Sequence, residues 1–117
     1  MTDANRPTTI LMADDDPSHL LLAEAALAGA GFMVHTVGDG ADAVEQFEQV
    51  NPDFVILDVN MPRMSGTDAC RELRRMTGNR ILPILMLTGR NDLPVIGDAF
   101  AAGAPVGVVN PEAITPR

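Results

Sequence analysis

The sequence predicts an α/β domain built on a parallel sheet with helices packed on both faces. Three observations carry this. Short runs that are apolar throughout alternate with segments of helical periodicity, strand then helix, along the whole chain. The apolar runs lack inward–outward alternation, as strands buried on both faces do. And 117 residues are enough for one core and too few for two.

Residues 1–7 are polar and include Arg6-Pro7, which reads as a loose leader. Thr8 to Ala13 is the first strand, and Asp14-Asp15-Asp16 ends it. Asp16 followed by Pro17 is an N-cap with proline at the first helical position. Leu20, Leu21, Ala23, Leu27 and Ala28 follow at helical spacing, and Gly29 and Gly31 bracket the stop. Phe32–Val37 is a second strand, and Gly38-Asp39-Gly40 is a turn. Ala43, Val44, Phe47 and Val50 form the apolar stripe of a second helix, broken at Asn51-Pro52-Asp53. Phe54–Leu57 is a third buried strand ending in Asp58. A loop through Val59–Gly66 leads to a third helix over roughly 67–76. Ile81–Leu87 is a fourth strand ending at Thr88. A fourth helix covers roughly 92–102, and Val106–Val109 is a short fifth strand.

Composition narrows the function classes. Apolar residues make up 46% and charged residues 21%, so the chain reads as soluble and globular. Aromatics are 3%, with no Trp or Tyr, so the core must be Leu, Val, Ile, Met and Ala, with the seven Met as filler. A net charge of −8 argues against direct contact of this segment with nucleic acid or an anionic membrane. The single Cys70 permits no disulfide within the chain, which suits a reducing cytoplasm, and it reads as a small buried hydrophobe. No signal peptide or membrane span is evident. His19 and His35 are isolated in sequence and are assigned surface or core roles. Arg71, Arg74 and Arg75 read as a solvated helix face.

The chemistry lies at the strand ends. In an open parallel α/β sheet, ligands bind beyond the carboxyl ends of the strands. Strand one ends in Asp14 and Asp15, strand three in Asp58, and strand four in Thr88. Acidic residues after a strand also cap helices, and Asp16 does so here. An Asp closing a strand as apolar as Phe54–Leu57 is harder to explain that way, because burying it without a partner is costly. If strands one and three are neighbours, three carboxylates converge, and like charges that close require a cation. Hard oxygen ligands suit Mg²⁺. Such an ion would neutralise incoming phosphate and leave one Asp oxygen to attack phosphorus.

Three segments carry a resemblance: Ile10-Leu11-Met12-Ala13-Asp14-Asp15-Asp16-Pro17, Asp53 through Gly66, and Pro83-Ile84-Leu85-Met86-Leu87-Thr88-Gly89. With the turn Ala102-Gly103-Ala104, the chain resembles the receiver domain of two-component response regulators from Ile10 to about Ala104. The resemblance implies a flavodoxin-like (βα)5 fold with a five-stranded parallel sheet in order 2-1-3-4-5. It implies that Asp58 is the phosphoacceptor and that Asp14, Asp15 and Asp58 hold Mg²⁺ with the backbone carbonyl of Asn60. Thr88 is implied as the hydroxyl that contacts the phosphoryl group and reports its arrival. A sensor histidine kinase or phosphotransfer protein is the implied phosphodonor, and the implied role is signalling rather than enzymatic.

The chain departs from that pattern near its end. Where the family has a Lys-Pro pair, Asn110-Pro111 stands. Asn keeps hydrogen-bonding capacity without charge, so a charge-assisted bond of about 1.5–3 kcal/mol to the phosphoryl group is lost. Slower phosphorylation or weaker switching is the expectation. Gly107 stands where the family places a switch aromatic, and glycine has no ring to move. After Pro111 only Glu112–Arg117 remains, and Pro116 opposes a helix, so the last helix is expected to be short or missing. Either an output domain follows beyond residue 117, or the uncovered sheet face docks or forms a homodimer. Pro94 and Gly97 lower the helix propensity of the fourth helix, which also reads as a pliable contact surface. The competing function is a degenerate receiver that acts as a phosphorylation-independent interaction module. A phosphohydrolase reading of Asp58-Val59-Asn60 fails because it needs a second acid where Asn60 stands.

Overall fold

The computed structural model describes residues 7–59, 61–78 and 82–87, together with the backbone of 108–109. The elements run β1 (Thr9–Ala13), α1 (Pro17–Gly29), β2 (Met33–Val37), α2 (Gly40–Val50), β3 (Phe54–Asp58), α3 (Gly66–Thr77), β4 (Ile84–Leu87) and β5 (Val108–Val109). The five strands form one sheet in order β2-β1-β3-β4-β5, and every neighbouring pair is parallel. This is the sheet that the alternating pattern and the resemblance led us to expect. The remainder of the leader, the fourth helix over 92–102, the 102–104 turn and the short last segment 112–117 lie outside the described residues.

Side-chain period sorts the sheet into two faces. Leu11, Ala13, Val55 and Leu57 point to one side, where they pack with Ala43 and Phe47 of α2 and Ala69, Cys70 and Leu73 of α3. Ile10, Met12 and Ile56 point to the other and meet Ala23 of α1, with Leu20 and Leu27 partly buried beside them. Leu20, Ala23 and Leu27 are the i, i+3, i+7 stripe of α1, whereas Leu21 and Leu22 are exposed. Among the described residues no helix is long and apolar enough to cross a membrane.

Each helix starts where a short polar side chain captures an orphan N–H. The Asp16 carboxylate accepts from Ser18 N–H, the Asp39 carboxylate from Asp42 N–H, and Ser65 Oγ from Asp68 N–H. The stops are left-handed residues: Gly31 just beyond α1, Asn51 after α2 and Gly78 after α3.

Two strands differ from expectation. β2 starts at Met33 rather than Phe32, and it is not buried on both faces: Met33 and His35 are exposed. Among the described residues it is the sheet edge, paired only with β1. β4 starts at Ile84 because Pro83 has no N–H for the ladder, although its carbonyl still accepts from Val55 N–H at 3.0 Å.

Candidate functional site

β1 and β3 are direct neighbours, with Ala13 opposite Leu57 in register. The residues that follow are therefore delivered to the same edge of the sheet. One carboxylate oxygen from each of Asp14, Asp15 and Asp58 lies within 4.8 Å of the others. Asp14 is buried at 1% exposure, Asp58 is half-buried and Asp15 is exposed, so the group forms a floor, a wall and an open rim. Charges this close repel strongly at partial burial, and hard oxygen donors are the set that a small divalent cation takes.

The local backbone holds the group in place. Asp14 N–H donates to the Val37 carbonyl at 3.2 Å, which anchors it to β2 as well. Its Oδ1 accepts from Asp16 N–H at 2.9 Å. Asp58 pairs with Leu87 in the β3–β4 register, and Val59 N–H donates to the Leu87 carbonyl at 3.0 Å. The start of α3 passes directly over this strand end. A Cβ on Gly66 would lie 2.0 Å from the Asp58 carbonyl oxygen, so only glycine fits there. Gly40 is held the same way, since its Cβ would meet the Met64 carbonyl oxygen at 2.4 Å.

Two residues at this edge escaped the sequence reading. His19 is not an isolated surface residue: its Nδ1 lies 3.2 Å from Asp14 Oδ2, and its Nε2 lies 3.5 Å from Asp16 Oδ2. The available signal was its place as the third residue of α1, from which a side chain reaches back over the cap. Arg63 forks onto Asp39, with Nε to Oδ2 at 2.7 Å and an Nη2 to Oδ1 bond at 3.0 Å, and it reaches Asp42 at 2.8 Å. Its backbone is left-handed at φ 62°. The guanidinium, with the Asp42 N–H, holds the Asp39 carboxyl below the usual carboxylate range, and the two carboxylates raise the Arg63 pKa in turn. Nothing linear pointed to a partner 24 positions away.

The basic stretch of α3 is not one solvated face. Arg71 pairs with Asp68 and Arg75 with Glu72 in solvent. Arg74 is half-buried and donates to the Leu82 carbonyl at 2.6 Å, because α3 packs against the segment entering β4. Cys70 is buried as expected, and burial pushes its thiol pKa up. His35 Nε2 lies 3.0 Å from Gln46 Oε1 at the surface. Asn60, Thr88, Gly107 and Asn110 lie outside the described residues.

Residues 10–113 match the family model for the response regulator receiver domain. The chain belongs to this family. The receiver domain is 38% identical over 102 residues to the DNA-binding response regulator MtrA of Mycolicibacterium smegmatis, covering 87% of this chain and 43% of that one. It is also 38% identical over 86 residues to the probable transcriptional regulatory protein TcrX of Mycobacterium tuberculosis, covering 74% of this chain and 36% of the relative. It therefore spans less than half the length of these relatives. Among solved structures, chemotaxis protein CheY4 of Vibrio cholerae superposes with a TM-score of 0.84 at 31% identity, covering 93% of both chains. A response regulator from Chloroflexus aurantiacus superposes with a TM-score of 0.83 at 33% identity, covering 93% of this chain and 92% of that one. The domain is thus a signalling module of two-component response regulators, and the phosphorylation-independent reading is not favoured.

Proposed function

We propose that the receiver domain accepts a phosphoryl group on Asp58 in a Mg²⁺-dependent reaction. The observation that carries this is the convergence of Asp14, Asp15 and Asp58 oxygens within 4.8 Å at the carboxyl edge of the sheet. Asp14, Asp15 and Asp58 would hold the ion, with the Asn60 main-chain carbonyl as a further ligand. When bound, Mg²⁺ supplies positive charge that offsets the carboxylates and the phosphate oxygens. Asp58 acts as the nucleophile: a carboxylate oxygen forms a bond to phosphorus while the bond from phosphorus to the donor breaks. The donor's leaving group departs with that electron pair, and the product is an acyl phosphate.

Thr88 follows Leu87 in the sequence, and the family resemblance implies that it supplies the hydroxyl that meets the phosphoryl oxygens. Asn110 at the family's lysine position offers an amide rather than an ammonium, so the phosphorylated state is held less tightly. With Gly107 in place of a ring, output proceeds by backbone shifts or through another surface. The phosphodonor is a histidine kinase or phosphotransfer protein. MtrA is named as DNA-binding, and this domain covers 43% of it. With a charge of −8, this receiver domain is not itself assigned contact with DNA. Action in the cytoplasm is part of the same reading.

Intact-mass measurement after incubation with Mg²⁺ and acetyl phosphate tests the proposal. One phosphate adduct is expected on the wild type, and none on Asp58→Ala or after chelation. No adduct on the wild type, or an undiminished adduct on Asp58→Ala, overturns it.

A further inference from the structure

Asp14 is the most buried member of the acidic group, and both of its oxygens are engaged. Oδ1 accepts from Asp16 N–H at 2.9 Å, and Oδ2 lies 3.2 Å from His19 Nδ1. An ionised carboxylate only accepts, so the proton on this contact belongs to Nδ1. The His19 side chain is 44% exposed, so packing alone does not place it. Its ring is set instead between two carboxylates, with Nε2 facing Asp16 at 3.5 Å. The converging oxygens belong to Asp14, Asp15 and Asp58, and His19 is not a member of that group. It touches one member without belonging to the set.

We propose that His19 is a positioning residue for the cation, acting through Asp14. The terminal torsion of an aspartate is broad and roughly two-fold. One hydrogen bond on each oxygen locks the plane of the Asp14 carboxylate, so its remaining lone pairs are fixed in direction before an ion arrives. Partners that orient a metal ligand in this way typically contribute about 10–100-fold to metal affinity. The inference rests on the reading of the acidic group as a cation site, and it concerns the ring as a hydrogen-bond donor to Asp14.

The test uses Mn²⁺ alone as the probe, with free ion followed by its electron paramagnetic resonance signal. The proteins compared are wild type, His19→Leu and His19→Asn. Leucine keeps bulk and removes the donor, whereas the asparagine amide nitrogen occupies nearly the place of Nδ1. His19→Leu should bind Mn²⁺ about tenfold more weakly, at the low end of the usual range because Asp16 N–H still holds the other oxygen. His19→Asn should recover most of the loss, and both variants should keep the metal-free Tm of the wild type. Wild-type affinity in His19→Leu, or an equal loss in Leu and Asn variants, overturns the role of His19 while leaving the cation site intact. A wild type that takes up no Mn²⁺ overturns the cation reading itself, and the inference with it.

Discussion

Two groups of carboxylates sit at the carboxyl edge of this sheet, and they resolve the same repulsion in different ways. Asp39 and Asp42 at the start of α2 are spanned by Arg63, which supplies the cation from within the chain. The result is a clasp that ties the loop after β3 to the turn after β2, reinforced by Gly40 N–H donating to the Met64 carbonyl at 3.1 Å. Asp14, Asp15 and Asp58 also converge, with one oxygen from each within 4.8 Å of the others, and the His19 imidazole meets Asp14 at 3.2 Å. A carboxylate pair that carries its own guanidinium is structure. The triad at the strand ends presents the hard oxygen donors that the proposed Mg²⁺ site requires. The loop that the clasp fastens begins just after Asp58.

The largest effect expected from breaking this contrast is at Asp58. Asp58→Asn should abolish the phosphate adduct completely. Intact-mass measurement after incubation with Mg²⁺ and acetyl phosphate checks this, and an undiminished adduct on the variant would refute it. Gly66→Ala comes next. Its Cβ would intrude on the Asp58 carbonyl oxygen, and the displacement should cost about 3 kcal/mol in chemical unfolding.

Arg63→Ala should lower Tm by less than Gly66→Ala, with a characteristic pH signature. Arg63 holds the Asp39 carboxyl below its ordinary pKa. That stabilisation is therefore complete above the ordinary carboxylate range and fades as pH falls below about 4. Removing Arg63 should flatten the stability–pH curve in that acid window, and an unchanged acid limb would refute the clasp. Smallest is Arg71→Ala. Its partner Asp68 is exposed, so thermal unfolding should show no measurable change.

Much of this was legible in the linear sequence, and the reasons are physical. Continuous apolar runs report strands covered on both faces, and caps such as Asp16-Pro17 report helix starts, so β1, α1, α2, β3 and α3 were all readable. Adjacent strand ends then bring Asp14, Asp15 and Asp58 together, which the residues themselves announced. What escaped were contacts set by three-dimensional approach. β2 resembles a buried strand in composition, and only its edge position exposes Met33 and His35. Arg74 sits between two solvent-facing arginines, yet it alone of the three turns to the Leu82 carbonyl. Arg63 acts across a chain reversal that no periodicity encodes, and His19 turns back over the cap of its own helix.

The central claim is that the triad holds a divalent ion and presents one Asp58 oxygen to phosphorus. A crystal structure of the domain with Mg²⁺ and a phosphoryl mimic tests it most directly. The ion is expected in contact with oxygens from the triad, and the mimic on the carboxylate of Asp58. An ion seated elsewhere, or a mimic bound away from Asp58 while the three carboxylates point to solvent, would contradict it.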